Sequence, residues 1–181
     1  MRDLILGKVA EAAETLGMSR ERVMTKSASD NLTLPRPRLE LDFLPETYTR
    51  TGRLHGGPGL PGLSPGPGRM RYKKELYQVS LPVAAQALAD DEEWLKDFSW
   101  RLLSVLPRSF NDKRGNYVRL AAAMGQWEGY EARRVGEAVI EPIVRRGYLL
   151  HLTAIWRICQ EELVTYVGKV DLNVHTGGNN G

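Results

Sequence analysis

Apolar residues recur at helical spacing over residues 2–16, RDLILGKVAEAAETL. Leu4 or Ile5, Val9, Ala12 or Ala13, and Leu16 form one stripe. Glu11 and Glu14 fall on the opposite side and Gly17 stands where the helix should stop. A short turn over 19–23 follows with Ser19 as its cap, and the polar stretch 24–31 reads as a connector. The period then changes. Leu39, Leu41 and Phe43 interleave with Arg38, Glu40 and Asp42, the alternation of a half-buried strand, and residues 46–51 keep its β-favouring character. Alternation returns over 69–83, where Tyr77, Val79 and Leu81 sit on one parity and Met70 and Tyr72 on the other. That phase shift predicts a bulge near Lys74 or Glu75. The two segments, 38–51 and 69–83, are expected to pair as antiparallel strands.

A second helix is predicted over 91–106. Leu95, Phe98, Leu102 and Val105 or Leu106 make its apolar stripe, Asp90 with Glu93 forms its capping box, and Pro107 ends it. Beyond it, 111–116 reads as a turn and 117–121 as a short strand. Residues 125–129 read as a second turn holding Trp127, and 132–145 as β structure interrupted at Gly136 and Pro142. Residues 148–158 give the longest clean alternation, which places that strand at the centre of the sheet. One more strand is expected within 163–174, before a small polar end. The order helix, hairpin, helix, strands predicts an α+β fold. Its sheet is expected to be mostly antiparallel, with helices packed on one face.

Between the paired strands lies the most unusual stretch. Residues 52–68, GRLHGGPGLPGLSPGPG, contain seven Gly and four Pro, too few side chains to pack a core. The triplets from Gly56 mimic a collagen repeat but lose register at Pro65, so a long hairpin loop is the reading. Its apolar side chains Leu54, Leu60 and Leu63, flanked by Arg53 and Arg69, are expected to dock on a neighbouring subunit or partner.

Composition narrows the function classes. The chain has 181 residues, a net charge of +3 and an isoelectric point near 9.1. No apolar run is long enough to span a bilayer, and the first residues lack the pattern of a signal peptide, so no membrane role is expected. Cys159 is the only cysteine, which excludes an intrachain disulfide; its apolar surroundings predict a buried or half-buried thiol. Charge is unevenly spread. Residues 32–86 hold eight Lys/Arg against four Asp/Glu, 87–112 hold three against six, and 113–159 hold eight against four. That alternation suits complementary protein surfaces better than one continuous nucleic-acid groove.

Catalytic templates fail on residue supply. The Gly-rich segment lacks the Lys-Ser/Thr and the following helix of a phosphate-binding loop. His55, His151 and His175 have no metal-ligand spacing, and His151 reads as a structural imidazole within a strand. Capping and the helix dipole account for Asp90–Glu93. The expectation is therefore no catalytic residue, no metal and no cofactor. Trp94 and Trp100 read as members of a wide core stripe, with the alternative that Trp100 faces a partner.

Four stretches together resemble the bacteriophage tail terminator proteins, the small subunits that cap the tail tube and join it to the head. They are ILGKVAEAAETL leading to LELDF, the insertion at 52–69, WRLLSVLPRSF followed by DKRGNYVRL, and Trp127-Glu128-Gly129-Tyr130 followed by RRGYLLHLTAIWRI. The resemblance covers residues 1–160 as one domain, with 161–181 as a C-terminal strand and tail. It implies a homo-oligomeric ring, typically a hexamer, stacked on the tail tube protein and docked to the head–tail connector or neck protein, with sheath protein as a further neighbour. It also implies a virion location at the tail–neck junction, with host cytoplasm as the site of assembly. DNA would be passing cargo only. Arg133, Arg134, Arg145 and Arg146, otherwise solvated strand ends, would then face the lumen or the DNA. The competing expectation is a nucleic-acid-binding accessory protein using its basic patches.

Overall fold

The computed structural model describes residues 1–26, 35–55, 69–113, 115–135 and 138–165, with backbone alone at 54–55, 69–72, 130–135, 138–144 and 162–165. In chain order these form α1 (Arg2–Thr15), a 3-10 turn (Arg20–Arg22), β1 (Val23–Thr25), β2 (Arg38–Phe43), β3 (Thr47–Arg50), β4 (Leu54–His55), β5 (Arg69–Ala89), α2 (Glu92–Val105), β6 (Ser109–Asn111), β7 (Tyr117–Val135) and β8 (Ala138–Thr165). The fold is α+β. The described strands form an eight-stranded sheet in the order β1-β2-β5-β8-β7-β6, with β3 and β4 also paired to β5. The sheet is mixed, since β1 runs parallel to β2 while β2–β5, β4–β5, β6–β7 and β7–β8 are antiparallel. No helix among the described residues is long and apolar enough to cross a membrane.

The chain divides into two compact units, residues 1–49 with 78–157, and residues 50–77 with 158–181. In the first, alternation decides the core. Leu39 and Leu41 of β2, Leu81, Val83 and Ala85 of β5, Leu120 of β7, and Leu150 and Leu152 of β8 are buried in one cluster with Ile5 and Val9 of α1 and Leu95, Phe98 and Leu102 of α2. The register explains the shared face: Leu39 lies opposite Ala87, Leu41 opposite Ala85, and Leu120 opposite Ala154. Gly17 closes α1 at φ +87°, a conformation that costs glycine little. The turn at 112–116 forms as expected, with Asp112 accepting from the Asn116 amide through its side chain.

In the second unit, β4 pairs Leu54 with Lys74 and His55 with Lys73. The Glu75 amide donates to Arg53 O at 2.6 Å, and Thr51 donates to Leu76 O through its amide and to Glu75 O through its hydroxyl. Gly52 takes φ +64° between these bonds. Leu54 and His55 are therefore strand rather than loop. Residues 56–68, including Leu60 and Leu63, lie outside the described residues.

Several sequence expectations need correction. β5 runs on over 21 residues, past the expected end at 83. The interruptions fall on its partner side, which is split into β2, β3 and β4. The expected turn at 125–129 is a bulge inside the 19-residue β7, because between Met124 and Trp127 two residues face the single Leu149. Glycines there mark close approach as well as bending: a Cβ on Gly125 would lie 2.8 Å from Leu149 O. Val23, read as the end of the turn at 19–23, and Met24 and Thr25, read as the start of a connector, pair with β2. Helix α2 is capped by Asp91, not Asp90: its carboxylate accepts from the Glu93 and Trp94 amides at 2.9 and 3.3 Å. Asp90 instead pairs with Arg36. Cys159 is exposed, because residues 157–161 of β8 carry on beyond the last buried positions of that strand. The expectation of β8 at the sheet centre agrees with its place between β5 and β7.

Candidate interaction surface

Helix α2 presents Glu92, Lys96 and Trp100 at successive four-residue steps, which places them on one outer stripe. Trp100 is 60% exposed, an unusual position for so large an apolar surface. Its ring meets Tyr148 of β8 edge-on, with centroids 6.4 Å apart, and Tyr148 meets Trp127 of β7 in a second edge-to-face contact at 5.1 Å. Trp127 and Tyr148 are direct register partners, so the bulge after Met124 is what aligns them. Lys96 Nζ sits 5.3 Å from the Trp127 ring centroid, a cation–π distance.

Charges close around this aromatic row. Lys96 donates to Glu92 at 2.7 Å, and Glu92 also lies 3.6 Å from Arg145. The Glu92 carboxyl is held below the usual carboxylate value, first by the Lys96 hydrogen bond, then by the Lys96 charge, with Arg145 contributing less. Lys96 is pushed up in turn by its bond to Glu92. Arg146 donates to the side chain of Gln86, which itself donates to Gly147 O. Both contacts tie β8 to β5.

Gly147 lets α2 come this close. A Cβ there would stand 3.1 Å from Ser99 Oγ and 3.4 Å from Leu95 Cδ2. The surface is therefore an aromatic row beside a salt-bridge network, built on three packed elements, α2, β7 and β8.

The residues singled out from sequence are distributed unevenly around it. Trp100 is at one end of the row, against Tyr148, and exposed. Arg145 is exposed and engaged with Glu92, and Arg146 is half-buried; both lie within β8 rather than at a strand end. Arg133 and Arg134 lie in β7, where only the backbone is described. Arg53 is exposed in the other unit, while Leu54 and Arg69 are described by backbone alone. His151 is exposed on β8, and Trp94 is half-buried and stacked on Phe98 at 4.7 Å. Sequence reasoning passed over Glu92, Lys96, Trp127 and Tyr148 as a group. The spacing of 92, 96 and 100 was a usable signal, whereas the meeting of 127 with 148 depends on a bulge.

Two surface hollows lie elsewhere on the first unit. One, of about 280 Å³, is lined by Arg36, Pro37, Asp90 and Trp94, and another, of about 400 Å³, by Met1, Asp3, Asp112 and Lys113. Among the described residues no group of three His, Cys, Asp or Glu side chains is placed to hold a metal ion. The chain matches no protein-family model and no curated protein.

Proposed function

We propose that this chain is a structural subunit of a phage-tail-type assembly, which closes into a homo-oligomeric ring on the end of the tail tube and offers a face to the head–tail connector. The observation that carries the reading is the exposed Trp100 row. Tryptophan, tyrosine and arginine are the side chains that dominate protein interfaces, and here Trp100, Tyr148 and Trp127 meet in ring contacts beside the Arg145–Glu92 pair. The resemblance of residues 1–160 to tail terminators supplies the identity of the partners. In such an assembly the Gly/Pro-rich sequence 56–68 is the candidate contact with an adjacent protein.

Native mass spectrometry and negative-stain electron microscopy of the purified full chain test this. The expected result is a closed ring, six copies being the family's usual number, with a central hole. A chain that stays monomeric alone and with tail tube protein refutes it. The competing nucleic-acid reading requires tight DNA binding that weakens steeply as salt rises.

A further inference from the structure

We infer that the 50–77 segment of the second unit is a contact surface for the phosphate backbone of double-stranded DNA. Charge is the first observation. The second unit, 50–77 with 158–181, holds seven Lys/Arg against four Asp/Glu. It therefore carries the whole net charge of +3, and the first unit is neutral. Within 50–77 the imbalance is sharper. Arg50, Arg53, Arg69, Arg71, Lys73 and Lys74 stand there against Glu75 alone.

Burial takes that one acid off the surface. Glu75 is 0% exposed, whereas Arg50, Arg53 and Lys73 are exposed. None of these three cations has an ion-pair partner among the described residues. Glu161 is the other described acidic side chain of this unit, and it is already engaged in an interaction of its own. Strand geometry spaces the cations regularly. Arg69, Arg71 and Lys73 take alternate positions of β5, a repeat of about 6.6 Å along one face of a strand.

The choice of DNA rests on sign and density. A protein–protein interface is depleted of charge at its core and is built on apolar anchors. Of the described side chains exposed in 50–77, three are the cations and the fourth is Tyr77. A surface of one sign is matched by a ligand of the other, and duplex DNA carries one negative charge per about 1.7 Å of its axis. Such a contact reads no sequence, and its dissociation constant is about 1–100 µM at physiological salt. That is weaker than the competing nucleic-acid reading requires. The contact does not depend on the assembly reading, since a ring subunit and a lone subunit carry the same surface.

The test uses the full-length chain and a fluorescently labelled duplex of about 12 base pairs, followed by anisotropy. Each neutralised phosphate adds about −0.9 to the slope of log affinity against log salt. The expected slope lies between about −2.7, for the three exposed cations, and about −4.5, when Arg69 and Arg71 also engage. Affinity then falls by about 40- to 500-fold between about 50 and 200 mM salt. Arg53→Ala and Lys73→Ala should each weaken binding by about three- to tenfold and make the slope shallower by about 0.9, with circular dichroism and melting temperature kept. The two variants serve independently, should either lose its fold. Arg101→Ala removes an exposed cation of the first unit and should change affinity by less than about twofold. Polyglutamate at equal charge should not displace the duplex. No binding at about 50 mM salt, or equal losses in all three variants, overturns the surface. Variants that aggregate yet bind as before also overturn it, because the cations then only guard a strand edge. Displacement by polyglutamate overturns the DNA assignment and gives the surface to an acidic protein. Ring formation is read separately by native mass spectrometry, so a failure here and a failure of the assembly reading are told apart.

Discussion

Replacing Gly147 by Ala measures how closely α2 approaches β8. Among the described residues positive φ is confined to Gly17, Gly52, Gly115 and Gly129, so the backbone of Gly147 accepts alanine without strain. The substitution also restricts the unfolded chain, a gain of about 0.4–1 kcal/mol. Against it stands Ser99, which is 1% exposed and whose Oγ would lie 3.1 Å from the new Cβ. That hydroxyl donates to Leu95 O at 2.7 Å. Turning it away leaves a buried polar group short of its bond, at about 1–3 kcal/mol. The net expectation is a loss of about 1 kcal/mol and a melting temperature lower by about 2–4 °C. The decisive measurement is the double-mutant cycle with Ser99→Ala, read by urea denaturation. Without the hydroxyl, the nearest atoms are Leu95 Cδ2 at 3.4 Å and Ala87 O at 3.5 Å, both ordinary contacts. Gly147→Ala should then be neutral or stabilising in the Ser99→Ala background, a coupling of about 2 kcal/mol. A Gly147→Ala protein more stable than wild type, or a cycle without coupling, refutes the close approach.

Four further expectations follow from the geometry. Asp91→Ala removes the α2 cap and should lower stability by about 1 kcal/mol in urea denaturation. Gly125→Ala should cost about 1–3 kcal/mol, and His151→Ala should not rescue it, because the Leu149 carbonyl at 2.8 Å is backbone and cannot turn aside. The lowered pKa of Glu92 means that its pairing supports the fold above the ordinary glutamate value and stops doing so as pH falls through the depressed one. An NMR titration should show the Glu92 pKa rising towards its ordinary value in Lys96→Met; an unmoved titration contradicts the assigned cause. Trp100→Ala, at a 60% exposed position, should change stability by no more than about 0.5 kcal/mol while weakening assembly measured by native mass spectrometry. Unaltered assembly removes the aromatic row from the interface.

Local signals were legible where packing and backbone chemistry agree. The stripe on α1, the stripe on α2, the alternation of Leu39 and Leu41, and the turn at 112–116 all appear where periodicity and turn residues put them. Gly125, Gln126, Trp127 and Gly129 were misleading because the same residues serve a turn or a bulge. Only the partner strand, with Leu149 set against two residues, distinguishes the two outcomes. The cap shifted from Asp90 to Asp91 for a comparable reason, since Arg36, 54 residues away in sequence, takes the Asp90 carboxylate.

By itself, then, the sequence determined the α+β class, the two amphipathic helices and the central place of the strand at 148–158, because these follow from periods of burial along the chain. Only the tertiary structure decided that Trp127 meets Tyr148 beneath Lys96, and that β7 leaves its outer edge without a described partner beyond Leu120. Both depend on strand register and on how far each neighbour runs. Register is a relation between segments, and no single segment encodes it.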